Sequence, residues 1–194
     1  SITPTFSSAP DPCSGNNYFG IADEASIDAT FTGSDNNFLA AQDSDDPGLT
    51  NPTSSLTVTY DDIDITGATE LYFCLDIAED DDGAVNQDWD GADQVLIEVD
   101  LDNTNNYLPV FQVEATATNT EPGLDIDCDG TPDGTAVTDV FTTYCVAVFG
   151  TGSLLDLRIT IDGLTAGDED IAIDNLQLYD GSANIPVAAT TYEC

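Results

Sequence analysis

The sequence predicts an all-β protein: an antiparallel β-sandwich, most simply a jelly roll, with long acidic loops and an extended N-terminal arm. Three observations support this fold class. Short segments alternate apolar and polar residues, Gly, Asp and Asn separate them, and no stretch of about ten residues shows the 3.6-residue period of an amphipathic helix. At 194 residues the chain has the length of one sandwich domain with a buried core.

The alternation that predicts strands is clearest in the middle and last thirds of the chain. The predicted strands are Leu56–Tyr60, Leu71–Ile77, Gln94–Leu101, Tyr107–Ala115, Val140–Phe149, Leu155–Asp162 and Ile171–Tyr179. In the last of these the apolar pattern changes phase after Ile173 and continues at Leu176 and Leu178. This change of phase predicts a β-bulge that re-aims Asp174.

Composition along the chain predicts three parts. Residues 1–15 form an extended arm that is rich in proline, residues 16–180 form the sandwich domain, and residues 181–194 form a C-terminal tail or last strand. No apolar run approaches the roughly 20 residues that a membrane-spanning helix needs. The chain begins at Ser1 without Met, as a processed exported protein would, so we expect a secreted or cell-surface location without membrane insertion.

The charge balance is extreme. The chain carries 38 acidic residues, one basic residue (Arg158) and no His, which gives a formal net charge of -37. Such a charge repels itself unless divalent cations, high salt or an acidic medium neutralise it, and it excludes nucleic acid and anionic membranes as partners. Because 41% of the residues are hydrophobic, we expect a folded protein that lives among cations.

Five cysteines without C-x-x-C spacing, in a chain without His, favour disulfides in an oxidising compartment over a zinc site. They are Cys13, Cys74, Cys128, Cys145 and Cys194. Cys74 and Cys145 lie within predicted strands and can bond if those strands are neighbours. Cys13 and Cys194 flank the domain and could tie its ends together. The odd count leaves one thiol for an intermolecular bond, for which Cys194 is the candidate, or a free terminal thiol.

The strongest site motif is an aspartate loop in which acids alternate and a glycine follows the third. Oxygen ligands at loop positions 1, 3, 5, 7 and 9 are typical of calcium loops, and here they are Asp125, Asp127, Asp129, the carbonyl of Thr131 and Asp133. Gly130 permits the sharp turn that the loop needs. Ala136 stands where such loops carry a bidentate Glu, so another carboxylate completes the shell or the site is weak. The alternative is a solvated acidic turn.

Further acids are candidates for the same chemistry. Between residues 79 and 93 the acidic loop offers Asp82, Asp90 and Asp93, and it also contains Trp89, the one tryptophan. An exposed Trp89 could stack on a sugar ring, whereas a buried one would pack or plug the end of the sandwich.

Several stretches resemble a β-sandwich module of large secreted and cell-surface proteins of marine and related bacteria. They are residues 18–23, 31–38, 90–93, 125–134, 150–158 and 167–175. The resemblance implies a jelly-roll-like accessory module that binds calcium. It also implies a structural calcium site in which Asp168, Asp170 and Asp174, near the last strong strand, meet Asp23 or Glu24 from the first. The five cysteines and the near-absence of basic residues depart from the pattern.

Three functions remain open at this point. The first is a structural protomer that assembles through its N-terminal arm and Cys194 into a filament, layer or matrix. A calcium-stabilised carbohydrate-binding or adhesion module that contacts polysaccharide is the second. A carboxylate-based glycosidase is the third and weakest, because the acids have cation-type spacing, and without His or Lys the usual nucleophile–base pairs are absent. We therefore expect a non-catalytic protein.

Overall fold

A computed structural model describes residues 4–6, 11–14, 17–34, 37–80, 89–181, 184–186 and 190–192, with the backbone alone for 11–14 and 190–192. Within these ranges the chain forms strands, turns and loops and no α-helix. No helix there is long and apolar enough to cross a membrane.

The strands of the described ranges are named in chain order. They are β1 (Thr5–Phe6), β2 (Asp11–Ser14), β3 (Asn17–Ala22), β4 (Phe38–Gln42), β5 (Ser55–Asp64), β6 (Leu71–Ala78), β7 (Gln94–Leu101), β8 (Leu108–Glu114), β9 (Gly123–Asp125), β10 (Thr142–Val148), β11 (Leu154–Asp162), β12 (Asp170–Asp180) and β13 (Thr190–Tyr192).

These strands form two sheets. Sheet A has the order β1-β5-β11-β7-β8-β9, and sheet B has the order β13-β10-β6-β12-β4-β3-β2. Neighbouring strands are antiparallel except β10 and β13, which are parallel. The predicted all-β antiparallel sandwich is confirmed.

The main core lies between the sheets and follows the period of two that predicted the strands. On β6, Leu71, Phe73, Leu75 and Ile77 face this core, as does every second residue of β7 and β11. Burying each such side chain contributes about 1.5–3 kcal/mol. A smaller cluster lies on the outer face of sheet B, where Phe38 of β4 contacts the segment between β3 and β4.

A disulfide joins the middle of two strands of sheet B. Cys145 of β10 lies directly opposite Cys74 of β6, and the two are bonded. The sequence allowed this disulfide without requiring it, and the structure confirms it. Its partners are separated by 71 positions, so closing this loop removes about 4 kcal/mol of unfolded-state entropy.

The predicted bulge in β12 is also confirmed. The register of β12 against β6 shifts between Asp174 and Gln177, and Asn175 adopts a left-handed backbone with φ of 50°. The extra residue moves Leu176 and Leu178 onto the side of the main core, where they are partly buried.

The described parts of the predicted N-terminal arm lie on the chain's own sheets. Thr5 and Phe6 pair with Thr59 and Val58 of β5, and the ring of Phe6 packs edge-on against Phe19 at 5.7 Å between centroids. Strand β2 pairs with β3 in the other sheet. The N-terminal residues therefore cross from the edge of sheet A to the edge of sheet B.

Candidate metal site

The aspartate loop leaves sheet A at its outermost strand, β9. Backbone groups of Leu124 close the loop: its carbonyl accepts N–H bonds from Asp133 at 3.1 Å and Gly134 at 2.8 Å, and its own N–H donates to Thr135 at 3.1 Å. The two ends of the loop thus meet at a residue whose side chain is buried in the core. The sheet therefore fixes the base of the loop.

Two glycines allow the path of the loop. Gly130 has φ of +87°, a left-handed conformation that side chains disfavour. Gly134 lies so close to Leu124 that a Cβ there would be 2.8 Å from the Leu124 Cβ and 2.9 Å from its carbonyl oxygen. The first glycine is needed for its turn and the second for its lack of a side chain.

Asp125 organises the loop from within. Its side chain is buried, with 2% of its surface exposed. Oδ1 accepts N–H bonds from Asp127 and Asp129 at 3.3 Å each, and Oδ2 accepts one from Gly130 at 2.8 Å. These three N–H bonds wrap the backbone of the loop around the carboxyl group of Asp125.

Three of the predicted ligands converge. One carboxylate oxygen each from Asp125, Asp127 and Asp133 lie within 4.8 Å of one another, and no other group of three acids, Cys or His among the described residues is this tight. Asp133 is held by an N–H bond from Ile126 at 3.1 Å. Asp129 is not part of the group.

A fourth carboxylate, which sequence did not predict, faces the loop from β8. In the β8–β9 pairing Gln112 lies opposite Asp125 and Glu114 lies opposite Gly123, so Glu114 shares a face with Asp125. Glu114 Oε2 accepts an N–H bond from Gln112 at 3.1 Å. Its Oε1 is buried and has no hydrogen-bond partner among the residues that the structure describes.

The carboxylates of this cluster repel one another. Burial, followed by the charge of Asp125, raises the pKa of Glu114 above its usual range. Asp127 is exposed, and its slight desolvation and then the charges of Asp129, Asp133 and Asp125 raise its pKa. An oxygen-only donor set with a buried acceptor in need of a partner fits a hard cation such as Ca²⁺.

Covalent chemistry also constrains the loop. Cys128, inside it, is disulfide-bonded and adopts φ of 53°. The side chain of Cys13 and all of Cys194 lie outside the described part of the chain.

A second acidic region lies where β7 begins and β12 begins. Asp93 and Glu169 are each 3% exposed and face each other. Asp93 accepts an N–H bond from Asp90, and Glu169 Oε2 accepts one from Ala166 at 2.7 Å and another from Thr165. Burial raises the pKa of Asp93 to about 7, and the charge of Glu169 and a hydrogen bond with it act in the same direction. This pair therefore shares a proton near neutral pH.

The remaining acids predicted as ligands occupy separate places. Asp90 Oδ1 accepts the N–H of Asn119 at 3.2 Å, and Asp170 Oδ1 accepts the N–H of Asp80 at 3.0 Å. Asp168 is half-buried in the turn before β12. Asp82 lies outside the described residues.

The predicted site that joins Asp23 to Asp168 and Asp170 is wrong. Strand β4 separates β3 from β12, with Gln42 opposite both Tyr18 and Asp170. Asp23 follows the far end of β3, about five residues and 16 Å along the strand from that level. Asp174 is nearer that far end but is still two strands from β3, at about 9–10 Å.

Of the two alternatives for Trp89, sugar stacking is wrong and packing at the end of the sandwich is confirmed. Its side chain is fully buried, and its indole N–H donates to the carbonyl of Asp170 at 3.0 Å. Both faces of the ring are covered, so Trp89 packs the end of the sandwich instead.

Comparison with known proteins adds a likeness of fold. No protein-family model matches the chain, and no curated protein matches it. Among solved structures it is similar to the carbohydrate-binding module TmCBM61 in complex with β-1,4-galactotriose (9% identity, 76% of this chain and 73% of that one, TM-score 0.40). It is also similar to CsCBM6-3 from Clostridium stercorarium in complex with cellobiose (12% identity, 93% of this chain and 95% of that one, TM-score 0.39). A third similar structure is the K3 cleaved adhesin domain of Lys-gingipain from Porphyromonas gingivalis (16% identity, 78% of this chain and 78% of that one, TM-score 0.42). Likenesses this distant concern the arrangement of strands and carry no ligand over to this chain.

Proposed function

We propose that this chain is a secreted, non-catalytic, calcium-binding β-sandwich that serves as a structural protomer of an extracellular or cell-surface assembly. The observation that carries the proposal is the convergence of Asp125, Asp127 and Asp133 beside the unpartnered buried oxygen of Glu114. Three converging carboxylates, with the buried oxygen of Glu114 on the neighbouring strand, favour a bound divalent cation.

Calcium suits this donor set better than other metals. It takes six to eight oxygen ligands in flexible geometry, whereas thiolate and imidazole ligands select other ions. In the proposed site Asp125, Asp127, Asp133 and Glu114 bind the ion. Asp129 and the carbonyl of Thr131 close onto it from the remaining loop positions, and water fills the rest.

The charge of the whole chain supports a structural role for the cation. The one basic residue, Arg158, is already paired with Glu98 at 2.7 Å and lies 3.8 Å from the centre of the Tyr107 ring. The other carboxylates have no basic side chain to pair with, because the chain carries no Lys and no His. Copies that carry a charge of -37 also need cations between them to associate. A disulfide-bonded, cation-dependent domain fits an extracellular setting.

Calcium titration by isothermal calorimetry tests the metal half of the proposal. Chelator-treated protein should bind Ca²⁺ at a site whose affinity Asp125→Asn strongly lowers and Asp28→Asn, at an exposed position, leaves unchanged. Binding that is unaffected by Asp125→Asn would overturn the site.

Light scattering and negative-stain microscopy under non-reducing conditions test the assembly half. Particles larger than a monomer should form with Ca²⁺ and disperse with chelator. A monomer in both conditions would overturn the role of protomer and leave the metal site standing.

Carbohydrate binding is the second candidate function, and it now rests on a groove on the outer face of sheet B. The groove has a volume of about 160 Å³ and places the ring of Tyr179 beside Asp76, Thr143, Asn175 and Gln177. An aromatic ring next to polar side chains is a suitable surface for a sugar. Oligosaccharide titration monitored by NMR should show shifts that Tyr179→Ala abolishes; no shifts with any polysaccharide fragment would exclude this function.

A further inference from the structure

An apolar cleft opens the sandwich between the second half of β12 and the edge strand β5. It has a volume of about 380 Å³. Apart from Gln177, its lining is apolar or aromatic: Tyr60, Ile63, Phe73, Leu157, Leu176 and Leu178. All six of these side chains belong to the main core or pack against it. At this side, the core of the sandwich reaches the surface.

Both walls of the cleft end in strand edges with little pairing. Strand β4 pairs with β12 over Asp170–Ile173, so in the described structure the rest of β12 pairs with β6 alone. On the opposite wall, β1 pairs with β5 at Val58 and Thr59, and beyond them β5 pairs with β11 alone among the residues that the structure describes. Edges of this kind offer backbone groups to an added strand.

Strand β1 shows what kind of segment closes this side of the molecule. It runs antiparallel to β5 and places Phe6 on Phe19 in the core. Its two residues lie beside Val58 and Thr59, and no other described residue pairs with that edge of β5. A longer strand in the same direction would pass Tyr60–Ile63 and cover the cleft.

The chain's own N-terminal sequence has the properties that such a strand requires. In an extended segment Ile2, Pro4 and Phe6 point to one side, the side on which Phe6 meets the core. Residues 1–10 contain no acidic residue in a chain with 38 of them. They can therefore approach the exposed Asp61 and Asp62 without adding repulsion.

We propose that this cleft receives residues 1–6 of a second copy of this chain, which adds a strand to β5 in trans in place of β1. This inference rests on the proposed role as a structural protomer, and it identifies the contact between two copies. Continuing the pairing of Thr5 with Thr59 brings the donor's first residues beside Tyr60–Ile63. Pro4 lacks an N–H, which an edge strand tolerates at positions that do not donate to its neighbour.

Site-specific photo-cross-linking tests the contact directly. A benzophenone side chain at position 176 is introduced into full-length protein, and ¹⁵N-labelled and unlabelled copies are mixed before assembly in Ca²⁺. Cross-links to residues 1–6 should join labelled to unlabelled copies. Cross-links confined to one isotope would show that the segment fills the cleft of its own chain, and cross-links to other regions would show another occupant; either result overturns the proposal.

A matched pair of variants supplies the second measurement. Leu176→Glu places a charge in the cleft and should shift the assembled mass to that of a monomer, as should deletion of residues 1–6. Phe149→Glu alters a side chain that is 59% exposed elsewhere and should leave assembly intact. Calcium titration of each variant reports whether it is folded. Calcium-dependent particles that persist in Leu176→Glu would refute the cleft while leaving the protomer role in place, whereas absence of particles from the unmodified protein would remove both.

Discussion

The Asp125 loop and the Asp93–Glu169 pair both bury carboxyl groups, yet different groups surround the two sites. Asp125 receives three backbone N–H bonds from its own loop. Asp93 receives one and faces Glu169, so burial raises its pKa to about 7. The first region thus gathers three carboxylate oxygens around one point, whereas the second brings two buried carboxyl groups against each other.

The largest effect should come from Asp125→Asn, which removes the charge and keeps an acceptor oxygen for the loop's N–H groups. We expect Ca²⁺ affinity to fall about 100-fold, which corresponds to about 2.7 kcal/mol. Calorimetric titration against Asp28→Asn measures it. A change no larger than that of the control would mean that Asp125 does not bind the cation.

Glu114→Gln should weaken Ca²⁺ binding but stabilise the protein in the absence of Ca²⁺. With Ca²⁺, affinity should fall about tenfold, because a charged ligand is lost. With chelator, the melting temperature should rise, because burial and the charge of Asp125 penalise the ionised Glu114 at neutral pH. Melting curves in both conditions provide the check, and a shift in the same direction in both would contradict the placement of Glu114 at the site.

The smallest effect is expected at the other region. The folded pKa of Asp93, about 7, exceeds the ordinary 3.8, so the folded state holds a proton that the unfolded state releases. The contribution of Asp93 to stability is therefore complete below about pH 4 and is lost as the pH rises to about 7. Asp93→Asn keeps the neutral form at every pH and should stabilise the protein by about 1–2 kcal/mol at pH 8.

Urea unfolding of Asp93→Asn in chelator, at pH 8, 6 and 4, measures this difference. The gain should shrink to nothing at pH 4, where wild-type Asp93 is also protonated, and Asp45→Asn at an exposed position should show no such trend. A destabilisation at pH 8 would show that Asp93 is needed in its ionised form.

Most of the strands that sequence predicted have one apolar and one polar face; Val140–Phe149, apolar on both faces, is the exception. Strands β6, β7 and β11 alternate over eight or nine residues, and their predicted limits agree with the structure to within about two residues. Strand β4 was not predicted, because all five of its residues are buried and no alternation marks them. Strand β9 was missed as well, since its three residues run directly into the aspartate loop.

For the candidate site, sequence predicted the ligands that are close together in the chain and missed those that strand pairing brings together. The spacing of Asp125, Asp127 and Asp133 is local, and sequence was sufficient to group them. Glu114 was missed because the β8–β9 pairing places it there, although its position two residues after Gln112, on the polar face of a strand, was visible. The pairing of Asp23 with Asp168 and Asp170 failed because it depended on the order of strands in sheet B.

Differential scanning calorimetry at pH 7 tests the calcium site most directly. Chelator-treated protein is compared in millimolar Ca²⁺ and in NaCl of the same ionic strength, because screening alone stabilises a chain of this charge. We predict a higher melting temperature in Ca²⁺, with the difference lost in Asp125→Asn. Equal melting temperatures in the two salts would contradict a calcium site in this protein.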